Sequence, residues 1–395
     1  MKINVKNNIF WVGKTDWELR KFHGDEYSTH HGTTYNSYLV QEEKTVLIDT
    51  VWNRYSKEFL HNLANEIDLK KIDYIICNHA ESDHSGALPD LMDRIPGTPI
   101  YCTENGVKSL KGHYQKNWNF QVVKTGDTLN IGNRKEIIFI QAPMLHWPDS
   151  MFCYLTGDNV LFSNDAFGQH YCSENLFNDL VNQEELYAEA IKYFANILTP
   201  FSPLVIKKIE EFVSLNLPLD MICTSHGVIW RNEPLQIVQK YMEWSNAYQQ
   251  DQITIVYDTM WDGTRMIAEN IAKGIRIADE SKIVKLFNAS NTDKNDLITE
   301  IFKSKLILVG SPTINKGIMH SIAGLLELMK GLKMKNKKAI SFGCHGWHNE
   351  SVEQINACLK NCGFELISEG IKVNWKPDES TVKSLIETGS SLVTQ

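Results

Sequence analysis

Apolar residues recur along this chain in two rhythms. Up to about residue 250, short β-branched runs alternate with amphipathic stretches. "NSYLVQEEKTVLIDT" predicts two strands joined by a polar turn, and "YSKEFLHNLANEI" an amphipathic helix. "KIDYIICN", "TPIYCT", "KEIIFIQAP" and "MFCYLTGDNVLFSND" read as further strands, and "NQEELYAEAIKYFANIL" and "PLQIVQKYMEWSNAYQ" as helices. Hairpins mixed with crossover helices predict an α+β sandwich with helices outside paired sheets. From Ile253 the pattern becomes strand, helix, strand: "ITIVYDT", "RMIAENIAKGIRIA", "IVKLFNAS", "NDLITEIFKS", "KLILVGSPT", "IAGLLELMKGL", "KAISFGCHG", "VEQINACLKNC" and "ELISEGIKVNW". That alternation predicts a doubly wound parallel sheet of five strands with flavodoxin-like topology. The polar stretch at residues 249–252 is the expected boundary, giving domains 1–250 and 251–395.

Composition fits two soluble domains. The chain has 395 residues, more than one ordinary core, with 43% hydrophobic and 22% charged residues. A net charge of -8 argues against nucleic acid or an anionic membrane as partner. No apolar run reaches the length of a bilayer span and "MKINVKNNIFWVG" has no signal-peptide core, so a cytoplasmic protein is expected. The eight cysteines form no C-x-x-C pair, and reduced, mostly buried thiols are expected.

"CNHAESDHSG", residues 77–86, carries the densest chemistry. In an extended segment His79, Glu81 and Asp83 would project together from a strand end, whereas His84 would join them only if the chain turns at "DHSG". Such a string alone is as often a solvated polar loop as a metal site. "PMLHWPDSMF", "FSNDAFGQH" and "CTSHGVIW" place His146, Asp165 and His226 after three more strands. A lone histidine there is ordinarily structural, and His113 and His170 are read that way. Four such strand ends in one domain predict a metal centre.

The order H-x-E-x-D-H, then H, D and H, resembles the metallo-β-lactamase fold. Glutamate at the second position, with "FHGDEYSTHHGTTYNSYL", "APMLHWPDSM", "SNDAFGQHY" and "TSHGVIWR", resembles the flavodiiron proteins, or A-type flavoproteins. The likeness spans nearly the whole chain and is greatest to the flavorubredoxin type, without its C-terminal rubredoxin module. It implies a metallo-β-lactamase-like αββα sandwich followed by a flavodoxin-like domain. His79, Glu81 and His146 would hold one iron, Asp83 and His226 the other, Asp165 would bridge them, and His84 would be a seventh ligand. It also implies that His23 and Tyr193 lie near the open face of the irons, as hydrogen-bond donors to O2 or NO. The donor set agrees: carboxylates are hard anionic ligands that suit higher-valent iron, whereas a His-rich tetrahedral shell suits zinc.

In "IVYDTMWDGTRMIAENIA" a strand leads into a helix through a Thr-, Asp- and Gly-rich loop, a ready phosphate site. Thr259, Met260, Trp261, Asp262, Gly263 and Thr264 are expected to wrap the phosphate of FMN. The loop is not G-x-G-x-x-G, so a dinucleotide is the weaker choice. "GSPTINKG" offers Ser311, Pro312, Thr313 and Asn315 and "FGCHGWHNE" offers Gly343, Cys344, His345, Gly346 and Trp347, expected to clasp the isoalloxazine ring. The second loop departs from the family pattern, which continues with glycines where His348, Asn349 and Glu350 stand here.

Family resemblance therefore implies an oxidoreductase that reduces O2 to water, NO to N2O, or both. It further implies electrons passing through FMN from an external donor, and a head-to-tail homodimer or dimer of dimers; the missing module favours a separate rubredoxin as donor, with a reduced deazaflavin or another carrier left open. Two other readings stay open on residues alone. One is a binuclear zinc hydrolase carrying a passive flavodoxin-like domain. The other is a redox-sensing flavoprotein on a degenerate scaffold.

Overall fold

The computed structural model describes residues 2–394 and separates into two compact units. The first runs to Tyr193 and takes in Phe201–Met242; the second takes Phe194–Pro200 and the chain from Glu243 onward.

The first unit is built on two sheets. One has the strand order Ile3–Lys6, Ile9–Trp11, Tyr38–Gln41, Thr45–Ile48, Tyr74–Ile76, Ile100–Cys102 and Phe120–Val122. The other runs Thr128–Gly132, Lys135–Gln141, Met151–Leu155, Val160–Asn164 and Met221–Thr224. Both hairpins implied by the apolar runs form, Tyr38–Gln41 with Thr45–Ile48 and Met151–Leu155 with Val160–Asn164. Alternate residues of the two sheets face each other across one core, where Val40, Ile48 and Ile76 meet Phe139, Cys153 and Phe162. The expected helices form at Ser56–Glu66, Gln183–Tyr193 and Leu235–Ser245.

In the second unit a parallel sheet has the order Ile283–Asn288, Gln250–Tyr257, Ser304–Gly310, Lys338–His345. That is the flavodoxin-like order, with the first strand flanked by the second and third. The expected fifth strand is split into Glu365–Leu366 and Ile371–Asn374, both paired with Lys338–His345, so the sheet counts six strands. The intervening "ISEG" ends in Gly370 at φ +99°, a turn that interrupts the ladder. Helix Gly263–Ala278 packs Ile267, Ile271 and Ile275 onto the sheet core of Ile255, Leu308 and Phe342.

Lys337 is buried at 3% exposure, its Nζ donating to the carbonyls of Phe302 at 2.6 Å, Ser304 at 2.8 Å and Tyr248 at 3.1 Å. All eight cysteines are unpaired, and all but Cys344 and Cys358 are buried, as their spacing predicts. Among the described residues, no helix is long and apolar enough to cross a membrane.

Candidate functional site

Four strand ends of the first unit converge. His79 and Glu81 follow Tyr74–Ile76, His146 follows Lys135–Gln141, Asp165 follows Val160–Asn164, and His226 follows Met221–Thr224. His79, Glu81, His146 and Asp165 bring one ligand atom each within 4.8 Å of one another, and Asp83, His84 and His226 do the same. Asp165 joins the two groups. Its Oδ2 lies 3.5 Å from His146 Nε2 and 3.7 Å from His79 Nε2. Its Oδ1 lies 3.0 Å from His84 Nε2 and 3.6 Å from His226 Nε2.

The extended reading of residues 79–83 needs correction. Ser82–Ser85 is a helical turn, with Ser85 N bonded to Glu81 O at 2.9 Å. Asp83 therefore does not continue a strand face. The turn swings Asp83 and His84 together, and His84 Nε2 comes 3.3 Å from Asp83 Oδ2. The loop is held from behind by Asp49, whose carboxylate accepts from Asn78 N at 2.7 Å and from its amide Nδ2 at 3.0 Å.

Hydrogen bonds fix which ring nitrogens face the centre. His226 Nδ1 lies 2.6 Å from the carbonyl of Thr34, which can only accept, so Nδ1 carries the proton. His79 Nδ1 likewise faces Asp149 Oδ2 at 3.2 Å. Each Nε2 then carries a bare lone pair in the neutral ring, yet each faces a carboxylate at 3.1 Å, Glu81 Oε2 for His79 and Asp83 Oδ2 for His226. Two lone pairs at that distance are held together only by a proton or a cation between them.

Buried polar atoms point the same way. Both oxygens of Asp165, Asp83 Oδ1 and His84 Nδ1 are buried without a hydrogen-bond partner. The 3.0 Å approach of His84 to Asp165 is thus a contact of the wrong geometry for a hydrogen bond. Orphaned carboxylate oxygens are costly unless a cation meets them. Burial alone would raise the pKa values of Glu81 and Asp165. The hydrogen bonds of His23 and His79 to Glu81, and the nearby His84 and His146 for Asp165, outweigh it and hold both below the usual carboxylate range. Three carboxylates and four imidazoles therefore fit a pair of divalent cations, with Asp165 between them.

Access is one-sided. The side chains of Glu81 and His146 are 14% and 12% exposed, and His23, whose Nε2 is 3.0 Å from Glu81 Oε1, is 36% exposed. Asp83, Asp165 and His226 are sealed. Tyr193 is buried, its ring 5.2 Å from His170 and 6.5 Å from His226. His113 is exposed and stacks on Trp147, outside both donor groups. His170 is buried with Nδ1 2.8 Å from Thr33 Oγ1, a packing role that nevertheless puts its ring 4.7 Å from that of His226. Sequence reasoning missed Asp149 and Thr34. Asp149 stands three residues after His146 in "HWPD", whereas the Thr34 carbonyl leaves no trace in residue type.

The second unit holds a cavity of about 670 Å³ at the carboxyl ends of its strands. Met260, Trp261, Gly263, Pro312, Thr313, Asn315, Cys344, His345, Gly346 and Trp347 all line it. Thr259, Asp262, Thr264, Ser311 and Gly343 are not among its lining residues. Ser311 Oγ accepts from Met319 N at 2.9 Å, and Thr264 Oγ1 is 3.3 Å from Cys344 Sγ. A Cβ on Gly343 would meet Ser311 O at 2.2 Å, so only glycine lets these two loops touch. Lys316, His348, Trp375 and Lys376 also line the cavity and were not anticipated.

This cavity fits a flavin mononucleotide. Helix Gly263–Ala278 begins with no side-chain cap on its first N–H groups, after Asp262 at φ +65°. The Thr259 hydroxyl beside it is buried without a partner. Free N–H groups and an orphaned hydroxyl at a helix start make a phosphate cradle. Trp347 and Trp375, with ring centroids 6.2 Å apart, offer apolar faces to a planar ring, and no carboxylate lines the cavity among the described residues.

Known proteins agree with both halves. Residues 33–227 match the ODP family beta lactamase and residues 255–389 match flavodoxin. The anaerobic nitric oxide reductase flavorubredoxin of Escherichia coli (strain K12) is 57% identical over 396 residues, which cover 100% of this chain and 82% of that protein. The rubredoxin oxygen:oxidoreductase of the anaerobe Desulfovibrio gigas superimposes with a TM-score of 0.95 at 36% identity, covering 100% of this chain and 99% of that one. The flavodiiron protein of Giardia intestinalis gives 0.95 at 32% identity, covering 100% and 96%. Identity at this level over whole chains leaves one assignment: this chain belongs to the flavodiiron protein family.

Proposed function

We propose that this chain is an oxidoreductase that reduces O2 to water, NO to N2O, or both, at a non-haem diiron centre fed by FMN. Residues 1–250 would carry the irons and 251–395 the flavin. The observation that carries the reading is Asp165, whose two unpartnered oxygens are divided between two groups of His and carboxylate donors.

His79, Glu81 and His146 would hold one iron, Asp83, His226 and His84 the other, with Asp165 spanning both. When bound, two ferrous ions and reduced FMN supply the four electrons that take O2 to two waters, or the two that take two NO to N2O and water. The chain's own residues orient and protonate. Thr34 and Asp149 fix the rings of His226 and His79 with Nε2 inward. Burial would lower the pKa of His23, but its hydrogen bond to Glu81 and the charges of Asp83 and Asp165 raise it, so Nε2 keeps a proton on the open side. Burial pushes Tyr193 well above the ordinary phenol range, so it stays a phenol with an O–H to donate. Those two residues are the proposed donors to the diatomic substrate, and Thr259, Gly263 and the loops at Pro312 and Cys344 are the proposed holders of FMN.

Iron and flavin residues belong to separate units. We therefore infer a head-to-tail homodimer or dimer of dimers, with the flavin of one subunit serving the irons of its partner. The electron donor in this reading is a separate rubredoxin, a choice supported by the name of the Desulfovibrio gigas relative. The compartment is the cytoplasm. A zinc hydrolase is disfavoured by the three carboxylates and by two relatives named as a nitric oxide reductase and an oxygen oxidoreductase.

The test is Asp165→Ala. Reduced wild-type protein mixed anaerobically with O2 or NO should turn over, and the variant should lose turnover while retaining FMN. Zinc in place of iron in the purified protein, or a variant that consumes O2 at the original rate, overturns the proposal.

A further inference from the structure

The two halves of the centre are backed differently. In the half of His79, Glu81 and His146, the outer nitrogen of His79 faces a carboxylate, Asp149 Oδ2, at 3.2 Å. In the half of Asp83 and His226, the outer nitrogen of His226 faces a neutral carbonyl, Thr34 O, at 2.6 Å, and the outer nitrogen of His84 is buried without a partner. We propose that Asp149 is a positioning residue that makes the two metal positions unequal, holding the iron of His79, Glu81 and His146 more tightly than the iron of Asp83 and His226. This rests on the diiron reading above.

Asp149 is built into its place. It is buried, and the same Oδ2 accepts from Ala80 N at 2.7 Å. Its backbone carbonyl accepts from Thr103 Oγ1 at 3.0 Å, and Met151 N, two residues on, donates to Asn78 O at 2.9 Å. The loop that carries Asp149 also carries His146, so one carboxylate ties together the two loops that supply all three donors of the first half. Its other oxygen, Oδ1, is buried without a hydrogen-bond partner, so no further donor disperses its charge.

The physical consequence follows from the imidazole. A ring whose outer N–H points at a carboxylate is a stronger donor through its other nitrogen than one bonded to a carbonyl, and such partners typically contribute about 10–100-fold in metal affinity. The carboxylate also puts anionic charge directly against a ligand of the first half. In the second half neither histidine has its outer nitrogen hydrogen-bonded to a carboxylate: Asp49, whose charge reaches His84, is engaged by Asn78 instead.

The experiment loads wild type and Asp149→Asn with ferrous iron anaerobically and follows release to a ferrous chelator. Asparagine keeps the shape and an acceptor oxygen but removes the charge. Wild type should release iron in two phases. In the variant the slow phase should accelerate by about 10–100-fold while the fast phase stays within about twofold. Two unchanged phases overturn the proposal. So does equal acceleration of both, which marks general loosening of the loops and should come with a lower melting temperature of the metal-free variant. Wild type that retains no iron at all defeats the diiron reading itself, an outcome distinct from either of these.

Discussion

Lys337 lends itself to a quantitative test. Burial lowers its pKa from the ordinary 10.5 to about 7. In the unfolded chain the ammonium keeps its proton until about pH 10.4. Between these values the unfolded state binds more protons than the native state, so stability rises with pH through the window. Below about pH 7 both states are protonated, and above about pH 10.5 neither is, so the slope vanishes outside it. The ceiling is roughly 1.4 kcal/mol per pH unit. The three carbonyls that accept from Nζ favour the charged form and oppose the burial cost, so we expect about 2 kcal/mol between pH 7 and 9. Lys337→Met removes the titration while filling most of the same volume. Hydrogen exchange read on the strand Ser304–Gly310 reports this unit, and comparing wild type with variant at each pH cancels intrinsic exchange and all other titrating groups. Wild type should gain on the variant as pH rises. A wild-type-minus-variant difference that stays flat from pH 7 to 9 refutes the reasoning.

Two further outcomes follow from the flavin cavity. Thr259→Val replaces an orphaned hydroxyl by a methyl of the same shape, and should weaken FMN binding by about 1.5–3 kcal/mol, the range for a hydrogen bond to a charged group; titration of the metal-free protein with FMN by flavin fluorescence measures it. Gly343→Ala drives a Cβ to 2.2 Å from the Ser311 carbonyl, so the loops must part, at about 1–3 kcal/mol of stability, visible as a lower urea midpoint.

Much of this architecture is legible in residue order. Runs such as "KEIIFIQAP" and "KLILVGSPT" are long and apolar enough to announce buried strands, and donor-type residues at four strand ends announce the centre. What escaped did so for physical reasons. Ser82–Ser85 is a single helical turn, too short to leave a period, so Asp83 and His84 read as neighbours on opposite faces of a strand. The last strand of the second unit breaks at a glycine turn inside a run that looks continuous. Trp375 and Lys376 reach the cavity from the loop after that strand, a proximity set by sheet order and not by any motif. The Thr34 carbonyl is invisible to residue type altogether.

The distribution of donors over the two sheets also orders events during synthesis. His79, Glu81, Asp83 and His84 come from one sheet, while His146, Asp165 and His226 come from the other. A nascent chain therefore possesses only a local, flexible quartet until the hairpin at Met151–Leu155 has been made, and it lacks His226 until nearly the whole first unit has left the ribosome. Stray cations met earlier find an incomplete set, and selective capture waits until both sheets have closed on one another.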